Sequence, residues 1–136
     1  MTPNRVIVAG GRTFNNESMT FEYLDRILGD LSKDKLEIVE GGANGADRLG
    51  RQWAISRGYP YKTFEADWTN LAKSDAVIRT RKDGQKYNAK AGHDRNAEMG
   101  EYATHLIAFW DGRSKGTKNM IDYAKSKGLK VKVVRY

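Results

Sequence analysis

Three glycine-bearing turns carry most of the chemistry this sequence can offer: Gly10-Gly11-Arg12-Thr13-Phe14, Gly41-Gly42-Ala43-Asn44-Gly45 and Trp110-Asp111-Gly112-Arg113-Ser114-Lys115-Gly116-Thr117. Glycine lets backbone amides approach a ligand closely, and a helix N-terminus presents unpaired N–H groups with partial positive charge. Together they make a phosphate cradle. The second turn opens a helix at Ala46, and Gly116-Thr117 opens another with a hydroxyl added. Arg12 contributes a guanidinium suited to bidentate contact with phosphate or carboxylate. Asp47, in the first turn of its helix, either caps orphan amides or accepts from a ribose hydroxyl or base N–H. In Gly92-His93-Asp94-Arg95-Asn96-Ala97-Glu98-Met99, Arg95 either pairs with Glu98 three residues on or projects with Asn96 to the ligand. Phe14 and Trp110 are candidates for stacking on a base, or for the core. Neither the G-x-x-x-x-G-K-[ST] loop nor the G-x-G-x-x-G fingerprint is present.

Such turns need a strand before them and a helix behind, and the apolar pattern predicts both. Val6-Ile7-Val8-Ala9 is a buried strand running into the first turn, and Leu36-Glu37-Ile38-Val39 runs into the second. Phe21, Leu24, Ile27, Leu28 and Leu31 mark one stripe of a helix. Leu49, Trp53 and Ala54 mark another, stopped at Gly58. Tyr61-Lys62-Thr63-Phe64 predicts a third strand. Residues 92–102 read as a helix, 105–110 as a fourth strand, 116–127 as a helix and 130–134 as a last strand. Between them, Trp68, Leu71 and Ala72 suggest a short helical face, and the Lys-rich residues 80–91 with Gly84 suggest a mobile loop. Strands alternating with helices predict an α/β fold: a Rossmann-like three-layer sandwich with a mostly parallel sheet of about five strands. One domain over residues 1–136 is expected. All three special turns would then gather at the carboxyl edge of the sheet, where such folds bind ligands.

Composition narrows the function classes. Of 136 residues, 39% are hydrophobic and 30% charged, a mixture suited to a globular protein and not to a mostly disordered one. No stretch approaches the ~20 apolar residues of a membrane span, and the short apolar run after Arg5 does not fit a secretory signal. A cytoplasmic protein with no membrane partner is expected. Zero cysteines and two histidines leave no disulfide framework and little material for a metal centre, so no metal and no cofactor are expected. The net charge of +7 comes from the C-terminal stretch, where Arg113, Lys115, Lys118, Lys125, Lys127, Lys130, Lys132 and Arg135 face Asp122 alone. A second basic cluster comprises Arg79, Arg81, Lys82, Lys86 and Lys90. Either attracts phosphate or simply forms a solvated face.

The first two glycine turns and the His93–Met99 segment resemble, in order and spacing, the YspA/YpsA-related branch of the SLOG superfamily, over essentially residues 6–134. That superfamily includes the Lonely Guy phosphoribohydrolases and the DNA processing protein A fold. The resemblance implies a nucleotide or nucleotide-derived ligand, such as a signalling, NAD-like or ADP-ribose-like compound. His93-Asp94-Arg95-Asn96-Ala97-Glu98-Met99 is similar to the Lonely Guy motif His-Glu-Arg-Lys-Ala-Glu-Met, which carries a functional arginine to Arg95. The second Lonely Guy motif, Pro-Gly-Gly-x-Gly-Thr-x-x-Glu, matches at Gly116-Thr117, but its catalytic glutamate falls on Met120. A thioether does not stabilise an oxocarbenium-like centre as a carboxylate does. The expectation is therefore nucleotide binding by Gly10, Gly11, Arg12, Thr13, Phe14, Gly41, Gly42, Ala43, Asn44, Gly45, Asp47, Arg95, Asn96, Trp110, Gly116 and Thr117. One alternative is an N-glycosidase using Arg95 with Asp111 or Asp47. A second is a DNA- or RNA-binding protein, suggested by the positive charge. Relatives in the superfamily commonly assemble, so a homodimer is also expected.

Overall fold

The computed structural model describes residues 3–73 and 75–136. Its sheet contains β1 (Asn4–Gly10), β2 (Leu36–Glu40), β3 (Tyr61–Thr63), β6 (His105–Trp110) and β7 (Lys130–Arg135), in the order β3-β2-β1-β6-β7. Every pairing in it is parallel. Four helices connect these strands: α1 (Glu17–Leu28), α2 (Ala46–Arg57), α3 (Ala91–Tyr102) and α4 (Lys115–Ser126). A separate antiparallel hairpin, β4 (Ile78–Thr80) and β5 (Lys86–Asn88), stands between β3 and α3.

Alternation along the central strands divides the core into two layers. Val6 and Val8 of β1, Ile38 of β2 and Ile107 and Phe109 of β6 face Leu24 and Leu28 of α1 and Leu49 and Trp53 of α2. Ile7, Ala9, Val39, Leu106 and Ala108 point the other way, against Met99 of α3 and Met120, Ile121 and Ala124 of α4. Both faces of the inner strands are thus covered, which explains their uninterrupted apolar runs. The outer strands differ. β7 carries a mixture of exposed and half-buried residues, and its lysines face solvent.

Helix ends follow local chemistry. Asn16 accepts from the Met19 amide at the start of α1, and Ser114 caps α4 through Thr117. Gly58 ends α2 in the left-handed conformation, with φ of 78°.

Two expectations for residues 65–91 need correction. Trp68, Leu71 and Ala72 do not share a helix; they lie in consecutive turns. The basic stretch is a hairpin with Arg79 opposite Tyr87, not a structureless loop. Its base is fastened by the buried Asn88, whose amide donates to the Trp68 carbonyl (2.6 Å) and whose Oδ1 accepts from the amides of Val77 and Lys90. Charged residues at its exposed positions hid the strand signal, because a two-stranded ribbon has no apolar alternation to display.

Among the described residues no helix is long and apolar enough to cross a membrane.

Candidate functional site

β1 neighbours both β2 and β6, so the chain leaves it in one direction and returns on the other side. At that switch point the loops after β1 and β6 diverge and leave a crevice. A cavity of about 380 Å³ lies there, lined by the first turn (Gly10, Gly11, Arg12, Thr13), by Ala43 and Asp47, by Arg95 and Asn96, and by Asp111, Ser114, Gly116, Thr117 and Met120. Residues more than 100 positions apart in sequence thus meet at one sheet edge. A second cavity of about 860 Å³ adjoins it, lined by Gly41, Gly42 and Asn44 and by the hairpin residues Arg79, Arg81, Lys82 and Tyr87. Arg12, Ala43, Trp68, Ala89 and Arg95 line both.

The second glycine turn does something other than its composition suggests. The Gly41 amide donates to Asp47 Oδ2 at 3.0 Å and the Gly42 amide to Glu40 Oε1 at 2.9 Å. Both N–H groups are therefore already committed to carboxylates. A side chain at Gly41 would press against the Arg95 guanidinium and against Asp47 Oδ2 at 2.8 Å. Its absence is what lets Arg95 donate through Nη1 to the Gly41 carbonyl. Gly45 serves packing as well, since its φ is 78° and a Cβ there would run into the Gly11 carbonyl of the first turn. The two turns are interlocked at this point, and the Ala46 amide donates to the same Gly11 carbonyl at 3.3 Å.

Beneath the turn lies a buried cluster of charge. Asp47 and Glu40 are both buried, and Glu40 Oε2 has no hydrogen-bond partner among the described residues. Burial pushes the Asp47 carboxyl up to about 6; Arg95 opposes this and the nearby Glu40 adds to it. Burial likewise holds Arg95 below the usual guanidinium range, against the pull of Asp47. Arg95 Nε also donates to Asn96 Oδ1 at 3.1 Å, while Asn96 Nδ2 donates to the Gly116 carbonyl at 3.2 Å and to Asn119 Oδ1 at 3.0 Å. Asn96 thereby ties α3 to the start of α4. Glu98 is not the partner of Arg95, whereas Asp94 pairs with Lys73 and Lys90.

The third turn retains free donors. Asp111 Oδ1 accepts from the amides of Arg113 and Ser114 at 2.8 Å each, and these bonds hold its carboxyl below the usual range. Ser114 Oγ lies 3.0 Å from Thr117 Oγ1. Among the described residues the amides of Lys115 and Gly116 have no acceptor within the chain, as expected for the first turn of a helix. Gly116 sits at the wall of the smaller cavity and has open space around it.

The aromatic candidates part company with the site. Phe14 is buried, stacked on Phe109 at 5.1 Å between centroids and tilted against Tyr136 at 4.5 Å. It belongs to the core. Trp110 lines neither cavity: its Nε1 donates to the Ser114 carbonyl and Arg135 lies over its ring. Trp68 takes the wall position instead, with Arg12 over its ring at 5.5 Å. Sequence reasoning also passed over Glu40 and Ser114 as site residues. A charged residue closing an apolar strand just before Gly-Gly was a usable signal for the first, and Ser-x-x-Thr ahead of a helix for the second. No group of three or more His, Asp or Glu among the described residues is arranged to hold a metal ion.

Comparison with known proteins agrees with this architecture. Residues 4–70 match the model of the YspA, cpYpsA-related SLOG family. The chain is 29% identical over 130 residues to the Gene 61 protein of Mycobacterium phage D29, covering 93% of each sequence. Its fold resembles DNA processing protein A of Streptococcus pneumoniae, with a TM-score of 0.67 and 16% identity over 97% of this chain; the chain spans 50% of that protein. Residues 4–70 of the chain thus resemble the YspA, cpYpsA-related SLOG family, and the chain shares its five-stranded parallel fold with DNA processing protein A.

Proposed function

We propose that the protein binds a nucleotide or nucleotide-derived ligand in the crevice between the carboxyl ends of β1 and β6. The observation that carries this reading is the convergence of Arg12, Arg95, Asp47 and the free amide of Gly116 on one cavity of about 380 Å³. That volume falls in the ~300–1,000 Å³ range of small-molecule sites. Phosphate is assigned to the start of α4, where free N–H groups and the helix dipole act together, with Arg12 and Arg95 supplying charge. Asp47 offers acceptors to a ribose hydroxyl or base N–H.

The purified protein, incubated with nucleoside monophosphates, NAD and ADP-ribose, is separated from free solute and analysed by chromatography with mass detection. Intact ligand retained by the wild type and lost on Arg95→Ala is the expected result. Failure to retain any of these compounds overturns the reading.

One observation favours a second reading, N-glycosidic bond cleavage. Asp47 borders the cavity with a carboxyl raised to about 6, so that a protonated fraction is available to a departing base near neutral pH. Asp111 is less suited, since its carboxyl is lowered and engaged by its own turn. Met120 borders the same cavity and brings no charge. Free base above a no-protein control in the same experiment would establish cleavage.

A further inference from the structure

Building on the nucleotide reading, we infer that the β4–β5 hairpin creates a second nucleotide subsite, so that the ligand contains two nucleotide units joined through phosphate. The larger cavity beside the hairpin adjoins the crevice at Arg12, Trp68 and Arg95, which border both. The free amide assigned to the first phosphate, at Gly116, borders only the smaller cavity. Arg79, Arg81, Lys82 and Tyr87 border only the larger. A mononucleotide seated at α4 leaves the hairpin groups unused.

The chemistry of the second cavity is specific enough to name its occupant. Arg12, Arg79, Arg81, Lys82 and Arg95 line it, opposed by Glu65 alone among its lining residues. Among the described residues none of Arg12, Arg79, Arg81 and Lys82 has a carboxylate within ion-pair distance. These cations therefore keep their charge available for an anion, and their guanidinium forks suit phosphate oxygens. Two half-buried aromatic rings stand among them: Trp68 and Tyr87, with centroids 6.3 Å apart and edge to face. Arg81 lies over Tyr87 at 5.1 Å and Arg12 over Trp68 at 5.5 Å. Aromatic faces interleaved with arginine are what a base and its phosphate need together, since the base stacks while the cation holds the backbone.

The hairpin is also held in place to act as a wall. Arg79 pairs in register with Tyr87, and the Ala89 amide donates to the Val77 carbonyl at 2.7 Å. Lys90 is tied to Asp75 and Asp94, and Lys73 to Asp94 at 2.9 Å. These bonds anchor both ends of the ribbon against α3, leaving its basic residues directed to the groove and solvent.

The test is calorimetric titration of wild type and an Arg79→Ala, Arg81→Ala, Lys82→Ala triple variant. The titrants are the ribonucleoside 5′-monophosphates and the matching 5′-phosphorylated homodinucleotides. All three substituted side chains are exposed, and retained mononucleotide binding reports that the variant is folded. The wild type is expected to bind its preferred dinucleotide about tenfold or more tightly than the mononucleotide, and the variant to lose that preference while keeping mononucleotide affinity. Equal affinity for the two ligands in the wild type overturns the second subsite and leaves the nucleotide reading intact. A preference that survives in the triple variant also overturns it. Absence of binding by either ligand overturns both readings. A homopolymer of roughly a dozen nucleotides, titrated in parallel, separates the two sources of such a ligand: affinity equal to the dinucleotide indicates a free dinucleotide, and higher affinity the end of a single strand.

Discussion

Replacing Asp47 by asparagine isolates the buried charge from the fold that surrounds it. The carboxyl is raised from its ordinary 3.8 to about 6, mainly by burial and in spite of Arg95. The unfolded chain thus releases this proton near pH 4, whereas the folded chain retains it until about pH 6. Between those values the folded state binds more protons than the unfolded, so rising pH costs stability across that window. The cost amounts to about 3 kcal/mol, fully developed above pH 6 and absent below about pH 4. The asparagine amide keeps an oxygen for the Gly41 N–H and does not titrate. Urea unfolding from pH 4 to 8, followed by tryptophan fluorescence, is expected to give curves that coincide near pH 4. They should diverge until D47N is more stable at pH 7, by up to about 3 kcal/mol. The same variant is expected to bind nucleotide more weakly, because a charged acceptor has been removed from the cavity. Parallel curves, or a less stable D47N at pH 7, would refute the reasoning and make the ionised Asp47 a net stabilising partner of Arg95.

The other predictions concern the surrounding parts. Arg95→Ala is expected to abolish nucleotide retention and to lower stability, because Asp47 and Glu40 lose their nearby cation; Arg95→Lys should recover stability more than binding, which parallel unfolding and retention assays distinguish. Gly45→Ala forces both an unfavourable φ and a clash with Gly11, and should cost about 2 kcal/mol or more in denaturant unfolding. Ser114→Ala removes the cap of α4 and should cost about 1 kcal/mol by the same measurement. Asp25 accepts from Arg57 and Trp53, and those bonds lower its carboxyl to about 2. Its contribution is present above pH 4 and lost as pH falls toward 2, so Asp25→Asn should flatten the acid side of the stability profile.

Much of this protein is legible locally. The apolar runs of β1, β2 and β6, the stripes of α1 and α2, and Gly58 as a terminator are short-range signals. They specify element type because burial on two faces of a sheet, or one face of a helix, imposes its own period on the residues. The convergence of the turns was legible too, since parallel strands put every strand-to-helix connection on one edge. What those turns do there was decided by tertiary contacts. Gly41 and Gly42 have the composition of a phosphate cradle, yet their amides are satisfied by Asp47 and by Glu40, whose burial depends on neighbouring elements. Arg95 meets the Gly41 carbonyl across 54 residues of sequence, and no spacing rule relates positions so distant. Tertiary contacts also chose between the alternatives for Phe14, which Phe109 and Tyr136 draw into the core, and put Trp68, read from the sequence only as part of a short helical face, at the wall of both cavities. The periodicity of the chain determined which residues form the sheet and its edge. The choice of which donors and charges remain free at that edge belonged to the folded structure, because hydrogen-bond satisfaction and desolvation are settled only when distant segments pack together.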